Sequence, residues 1–185
     1  MFSSFPEWFD ENLSTPFLLG KILLQISQLS KSQNRKLTTD GMHNKESEYP
    51  GVGSQPLNEE FTPEIIKVLG PDDIFVFGSN LQGMHGGGAA RVALNRFGAI
   101  YGQGTGLQGN SYAIPTMQGG VDTIRPYVDE FIAFAKAHPD LTFYVTKIGC
   151  GIAGFSIPEI APLFKNALSV PNIRLPRDFV ALLSN

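Results

Sequence analysis

The sequence predicts an α/β domain with a mixed, largely parallel sheet, and three observations predict it. Apolar runs of strand length recur at Ile74–Phe77, Ser111–Pro115 and Leu141–Ile148, and segments with helical apolar spacing alternate with them. Glycine-dense stretches follow the first and last of these runs. Strands alternating with helices favour a parallel sheet covered on both faces, with ligands received beyond the carboxyl ends of the strands.

Taken in order, Ser14-Thr15-Pro16 reads as a capped helix start. Phe17, Leu18, Ile22, Leu23, Ile26 and Leu29 then recur at helical spacing, giving an amphipathic helix to about Lys31. Residues 32 to 60 are polar and aperiodic and read as a flexible linker, so residues 1–60 form an appendage and 61–185 the domain. Thr62-Pro63-Glu64 predicts a short helix ending at Leu69-Gly70-Pro71, before the Ile74 strand.

The stretch from Phe77 to Arg91 is the pivot. An apolar strand stops there and a helical pattern starts at Ala89, with apolar residues at Ala90, Val92, Ala93 and Phe97. Gly86, Gly87 and Gly88 let backbone N–H groups approach an anion, and the helix start adds a favourable dipole end. Tyr101 to Gly109 predicts a mobile loop and Ser111–Pro115 a strand. Thr123 is the expected cap of a helix whose stripe is Ile124, Tyr127, Val128, Phe131, Phe134 and Ala135, ending before Pro139. The strand Leu141–Ile148 runs into a second glycine turn, Gly149 to Phe155. Ser156 then caps a helix with Ile157, Ile160, Ala161, Phe164 and Leu168 inward, and Ile173-Arg174-Leu175 closes the sheet.

Composition narrows the function. A net charge of -3 with 17% charged residues gives no basic footprint for duplex nucleic acid. One cysteine excludes an internal disulfide framework. No basic residue precedes Lys21, and Pro16–Ile26 is too short and interrupted to span a bilayer, so a cytoplasmic chain without a membrane segment is expected. No metal or cofactor is expected. A P-loop needs Lys-Ser/Thr after its glycines, where Ala89-Ala90 stand. The G-x-G-x-x-G spacing occurs at Gly104, Gly106 and Gly109, ahead of a strand, and at Gly149, Gly151 and Gly154, too near the C-terminus for a second βαβ half. A dinucleotide dehydrogenase is therefore not expected.

From Ile74 onward the chain resembles the macro domains that bind ADP-ribose. Asn80 through Ala90 looks like their Asn followed by a Gly-rich turn into a helix, and Gly149 through Phe155 looks like their second glycine loop with an aromatic. The similarity is strongest to the branch with DNA ADP-ribose glycohydrolase antitoxins and glutamyl-ADP-ribose hydrolases. That branch's Pro-Thr-Lys strand end is matched by Pro115-Thr116-Met117, its Gly-Cys-Gly loop by Gly149-Cys150-Gly151, and its Pro-Leu by Pro162-Leu163. The chain also looks like small bacterial and phage macro-domain-like proteins, some described as antirepressor-like. The resemblance implies a three-layer α/β/α sandwich and contacts to ADP-ribose or a related nucleotide. These would come from Ser79, Asn80, Leu81, Gly86, Gly87, Gly88 and Ala89, from Thr116, and from Gly149, Cys150, Gly151, Ile152, Ala153, Gly154 and Phe155. The branch's catalytic Lys and Asp are Met117 and Ala153 here, so its mechanism does not carry over.

Several residues admit two readings. Asn80 can hold a ribose hydroxyl or close an Asx turn. In an ADP-ribosyl hydrolase the water can be activated by a substrate phosphate or by His85 as general acid or base; otherwise His85 can sit solvated or against phosphate. Cys150 can be a nucleophile or a packing residue. Lys147 can neutralise phosphate or lie on the surface, and Phe155 can stack on a sugar or pack under its loop. Asp72 and Asp73 read as a solvated pair or as acceptors for an adenine amine. An alternative role is regulatory: the 16–31 helix recruits a protein partner or self-associates, without catalysis.

Overall fold

The computed structural model describes residues 48–185. The helix expected over 16–31 and the linker up to residue 47 lie outside the described residues. The described elements are β1 (Asp73–Ser79), α1 (Gly88–Arg96), β2 (Gly106–Gln108), β3 (Ser111–Pro115), α2 (Arg125–Ala137), β4 (Thr142–Val145), α3 (Ile157–Ile160), β5 (Ile173–Arg174) and α4 (Arg177–Leu183). A 3₁₀ turn at Val121–Thr123 precedes α2, and a 3₁₀ run at Ala161–Ser169 continues α3.

The five-stranded sheet has the order β2-β3-β1-β4-β5. β1 is central and parallel to both neighbours, with Phe77 opposite Ala113 and Phe75 opposite Tyr144. β5 adds in parallel to β4, and β2 is antiparallel to β3 at the other edge. The α/β class with a mostly parallel mixed sheet is thus the architecture observed.

β1 is apolar on both sides because each side meets a different core. Its side chains alternate, so Ile74 and Val76 join the cluster holding Val128, Phe131 and Phe143, while Phe75 and Phe77 join Ala90, Ala93 and Phe97. Alanines on the inward face of α1 keep the backbone of that helix close to the strand. Removing a fully buried ring such as Phe77 costs about 3–5 kcal/mol on this reasoning.

Several expectations are corrected. Residues 62–69 form no helix, because the Thr62 hydroxyl that would cap it donates to Arg174 O (2.7 Å) and Thr62 N–H donates to Leu175 O (2.9 Å). This strap instead bridges Pro176 at Thr62 and Val52 at Leu69. Residues 49–60, read as linker, lie on the domain: Gly51 N–H donates to Arg96 O, Leu69 N–H to Gly51 O, and Glu59 N–H to the Tyr144 hydroxyl. Asp73 is not solvated; it is buried and its Oδ2 accepts from Leu57 N–H (2.6 Å) and Gly70 N–H (2.7 Å).

The stretch expected as a mobile loop contains β2, and Gln108, Gln103 and Gly102 hydrogen-bond it to its surroundings. Thr123 does not cap α2, since its hydroxyl donates to Gly120 O and Ile124 holds the cap position. Ser156 does hold the cap position of α3, in a capping box where Glu159 accepts from the Ser156 backbone N–H and hydroxyl. The helix then tightens to 3₁₀ where Pro162 removes an N–H from the α ladder. Its inward residues include Leu163 and Ala167, and Leu168 faces solvent. α4 was not anticipated.

Candidate functional site

A cavity of about 710 Å³ opens beyond the carboxyl ends of β1, β3 and β4, within the range typical of small-molecule sites. Four segments build it: the first glycine stretch, the Thr116–Met117 end of β3, the turn Thr146–Ala153, and the strap Pro63–Ile66. Gly78 marks where they converge. A Cβ there would meet Gly149 N at 3.3 Å and Thr116 Oγ1 at 3.3 Å, so a side chain would push the strand ends apart.

The first glycine stretch is shaped by Asn80. Its Nδ2 donates to Met84 O (3.1 Å) and its Oδ1 accepts from Met84 N–H (3.0 Å), closing the chain into a loop before Gly86. Asn80 therefore reads as the brace of that loop, although it still lines the cavity. Gly87 is the extended cap residue of α1, and Arg91 N–H makes the first intrahelical bond to its carbonyl. The N–H groups of Gly88, Ala89 and Ala90 then have no intrahelical acceptor, at the positive end of the helix dipole. Gly88 sits at φ +54, the left-handed region that glycine tolerates best.

The second glycine turn faces the first directly. A Cβ on Gly87 would lie 2.8 Å from Ile152 Cδ1, and one on Gly88 3.7 Å from it. Ile152 is 71% exposed, so its side chain spans the gap rather than filling a core. Within the turn, Cys150, Gly154 and Phe155 donate their N–H groups to Lys147, Gly151 and Gly149 carbonyls; those of Gly151, Ile152 and Ala153 take no part in these bonds.

The residues expected at the site therefore divide. Ser79, Asn80, Gly86, Gly87, Gly88, Ala89, Thr116, Gly149, Gly151, Ile152 and Ala153 line the cavity. Leu81, Cys150, Gly154 and Phe155 do not line it. Leu81 is exposed, and Phe155 packs against the core beneath Gly149. Cys150 also packs on that core, and burial pushes its thiol up, with Lys147 opposing and Glu159 reinforcing the shift. That is opposite to what a nucleophile needs.

His85 is buried at 1% exposure and lies outside the cavity lining, which corrects the solvated reading. Its Nδ1 is 3.5 Å from Ser79 Oγ, its ring meets Phe77 edge-on, and its Nε2 has no hydrogen-bond partner among the described residues. Lys147 is likewise not a spare cation, because Nζ is 2.7 Å from both Glu64 Oε1 and Asp178 Oδ2. Those hydrogen bonds, Asp178 first, raise its pKa.

Sequence reasoning missed the strap wall, Met84 and Val92. No sequence signal marks this wall, because a linear pattern cannot show what side chains such as Ile65 and Val92 face. Among the described residues no group of three or more His, Cys, Asp or Glu could hold a metal ion, and no helix is long and apolar enough to cross a membrane.

No family model, curated protein or solved structure matches this chain.

Proposed function

We propose that the chain binds ADP-ribose or a related nucleotide diphosphate derivative in the cavity between the two glycine turns, as a macro-domain-like three-layer α/β/α sandwich. The observation that carries the reading is the approach of Ile152 to Gly87 and Gly88 over the start of α1. Two glycine turns and a helix N-terminus around one cavity supply backbone donors on opposite sides of an anion, which suits a diphosphate. Ile65, Ile66, Phe75 and Val92 supply an apolar wall next to it for a planar base.

The proposal is one of binding. Of the two ways to activate water for hydrolysis, a substrate phosphate or His85, the protein's own group lies buried behind the cavity wall.

Calorimetric titration with ADP-ribose, with ADP, NAD and AMP for comparison, tests the reading. Saturable ADP-ribose binding is expected. In Gly87→Glu the new carboxylate enters the gap beside Ile152, and binding should fall at least tenfold, about 1.4 kcal/mol. A folded wild-type protein that binds none of the four would overturn the reading.

A further inference from the structure

The charged side chains that line the cavity, Glu64 and Lys147, belong to one cluster that Asp178 completes from outside the lining. Lys147, on the turn after β4, is shared between Glu64 of the strap and Asp178 of the first turn of α4, both at 2.7 Å. Two carboxylates outnumber the one ammonium. Glu64 and Lys147 line the large cavity and also a neighbouring space of about 100 Å³, so the cluster stands at the edge of the site. Glu64 is the more accessible carboxylate, with 74% of its side-chain surface exposed, and Oε1 alone is committed to the lysine.

Backbone donors gather at the glycine turns, whereas Ile65, Ile66, Phe75 and Val92 form the apolar part adjoining Glu64. A nucleotide with its phosphates at the turns and its base on the apolar part presents the base-side ribose to Glu64. A carboxylate there accepts hydrogen bonds from ribose hydroxyls and repels a phosphate ester in the same place. Dinucleotide-binding folds use the same contrast, an acidic residue for a free 2′-hydroxyl and an arginine for a 2′-phosphate. Lys147 does not replace such an arginine, because its charge is already held by two partners.

Resting on the nucleotide reading above, we infer that Glu64 is a specificity-determining residue that admits a nucleotide with a free base-side ribose and rejects its 2′-phosphorylated counterpart. Asp178 supports this by sharing the charge of Lys147.

The test is titration of the full chain with ADP-ribose and with ADP-ribose 2′-phosphate, in wild type and in Glu64→Gln, Asp178→Asn and Lys147→Met. Wild type should prefer the unphosphorylated ligand by about tenfold or more, the order of effect of one unfavourable charge contact. Glu64→Gln should narrow the gap to about threefold or less, because the amide keeps the shape and releases part of Lys147. Asp178→Asn should narrow it as well, and Lys147→Met should widen it. Equal wild-type affinities, or a gap unchanged in both folded neutralising variants, would overturn the assignment while leaving the nucleotide reading in place. Failure of both ligands to bind would overturn that reading and the assignment with it.

Discussion

Cys150 shows how a residue's chemistry depends on what it packs against. In sequence it stands between two glycines after a strand, which suits a nucleophile as well as a filler; its half-burial on the core decides, and that depends on folding partners. With its pKa raised, the thiol should alkylate slowly at neutral pH, and the rate should still be climbing at the ordinary thiol value of 9.0 instead of levelling off there. Iodoacetamide rates across pH 6–10 check this, and a fast reaction at pH 7 would count against the buried setting. Asp73 teaches the same lesson from the other side. Nothing in Asp72-Asp73 announces that one carboxylate is buried: Gly70 is a local donor in the same turn, but Leu57 reaches the carboxylate only in the fold. Asp73→Ala leaves both N–H groups without their acceptor and should cost about 3 kcal/mol, read by urea denaturation. Gly149→Ala should also destabilise, by about 1–3 kcal/mol, since φ is +72 and the new methyl would press on Ile160 Cδ1 at 3.1 Å and on Phe155.

At the scale of elements, those legible in sequence were the ones whose signal is local. Strands β1, β3 and β4 are apolar runs buried on both faces, and the Ser156–Glu159 box is a four-residue pattern that the structure contains. Thr62-Pro63-Glu64 carries a similar start signal yet forms an extended strap, because the Thr62 hydroxyl and N–H find acceptors at Arg174 and Leu175. Tertiary hydrogen bonds overrode the local preference there. β2 was hidden because its three residues sit among glycines and owe their conformation to pairing with β3. The strap is tied to β4 and α4 by Lys147, and this tie has a definite pH dependence. Its folded pKa is raised, so the stabilisation is complete below the ordinary lysine range near 10.5 and is lost as pH climbs through the folded value. Between pH 9 and 11.5 the wild-type Tm should therefore fall more steeply than that of Lys147→Met, and parallel curves would show that the ion pairs do not tie the strap.

For the whole molecule, the site arises from topology. A parallel sheet with β1 at its centre brings the ends of β1, β3 and β4 to one edge, and the glycine turns follow two of those strands. The position of both turns at strand ends was readable from the sequence; that they face each other across Ile152, with the strap as a further wall, was not, since it depends on strand order and on segments far apart in the chain. Two turns that grip one ligand should respond to it together, and following backbone amides by NMR during an ADP-ribose titration reads that response. Amides of Gly86–Ala89 and of Gly149–Ala153 should shift along one common saturation curve. Saturation with shifts confined to one turn, or to neither, would contradict it.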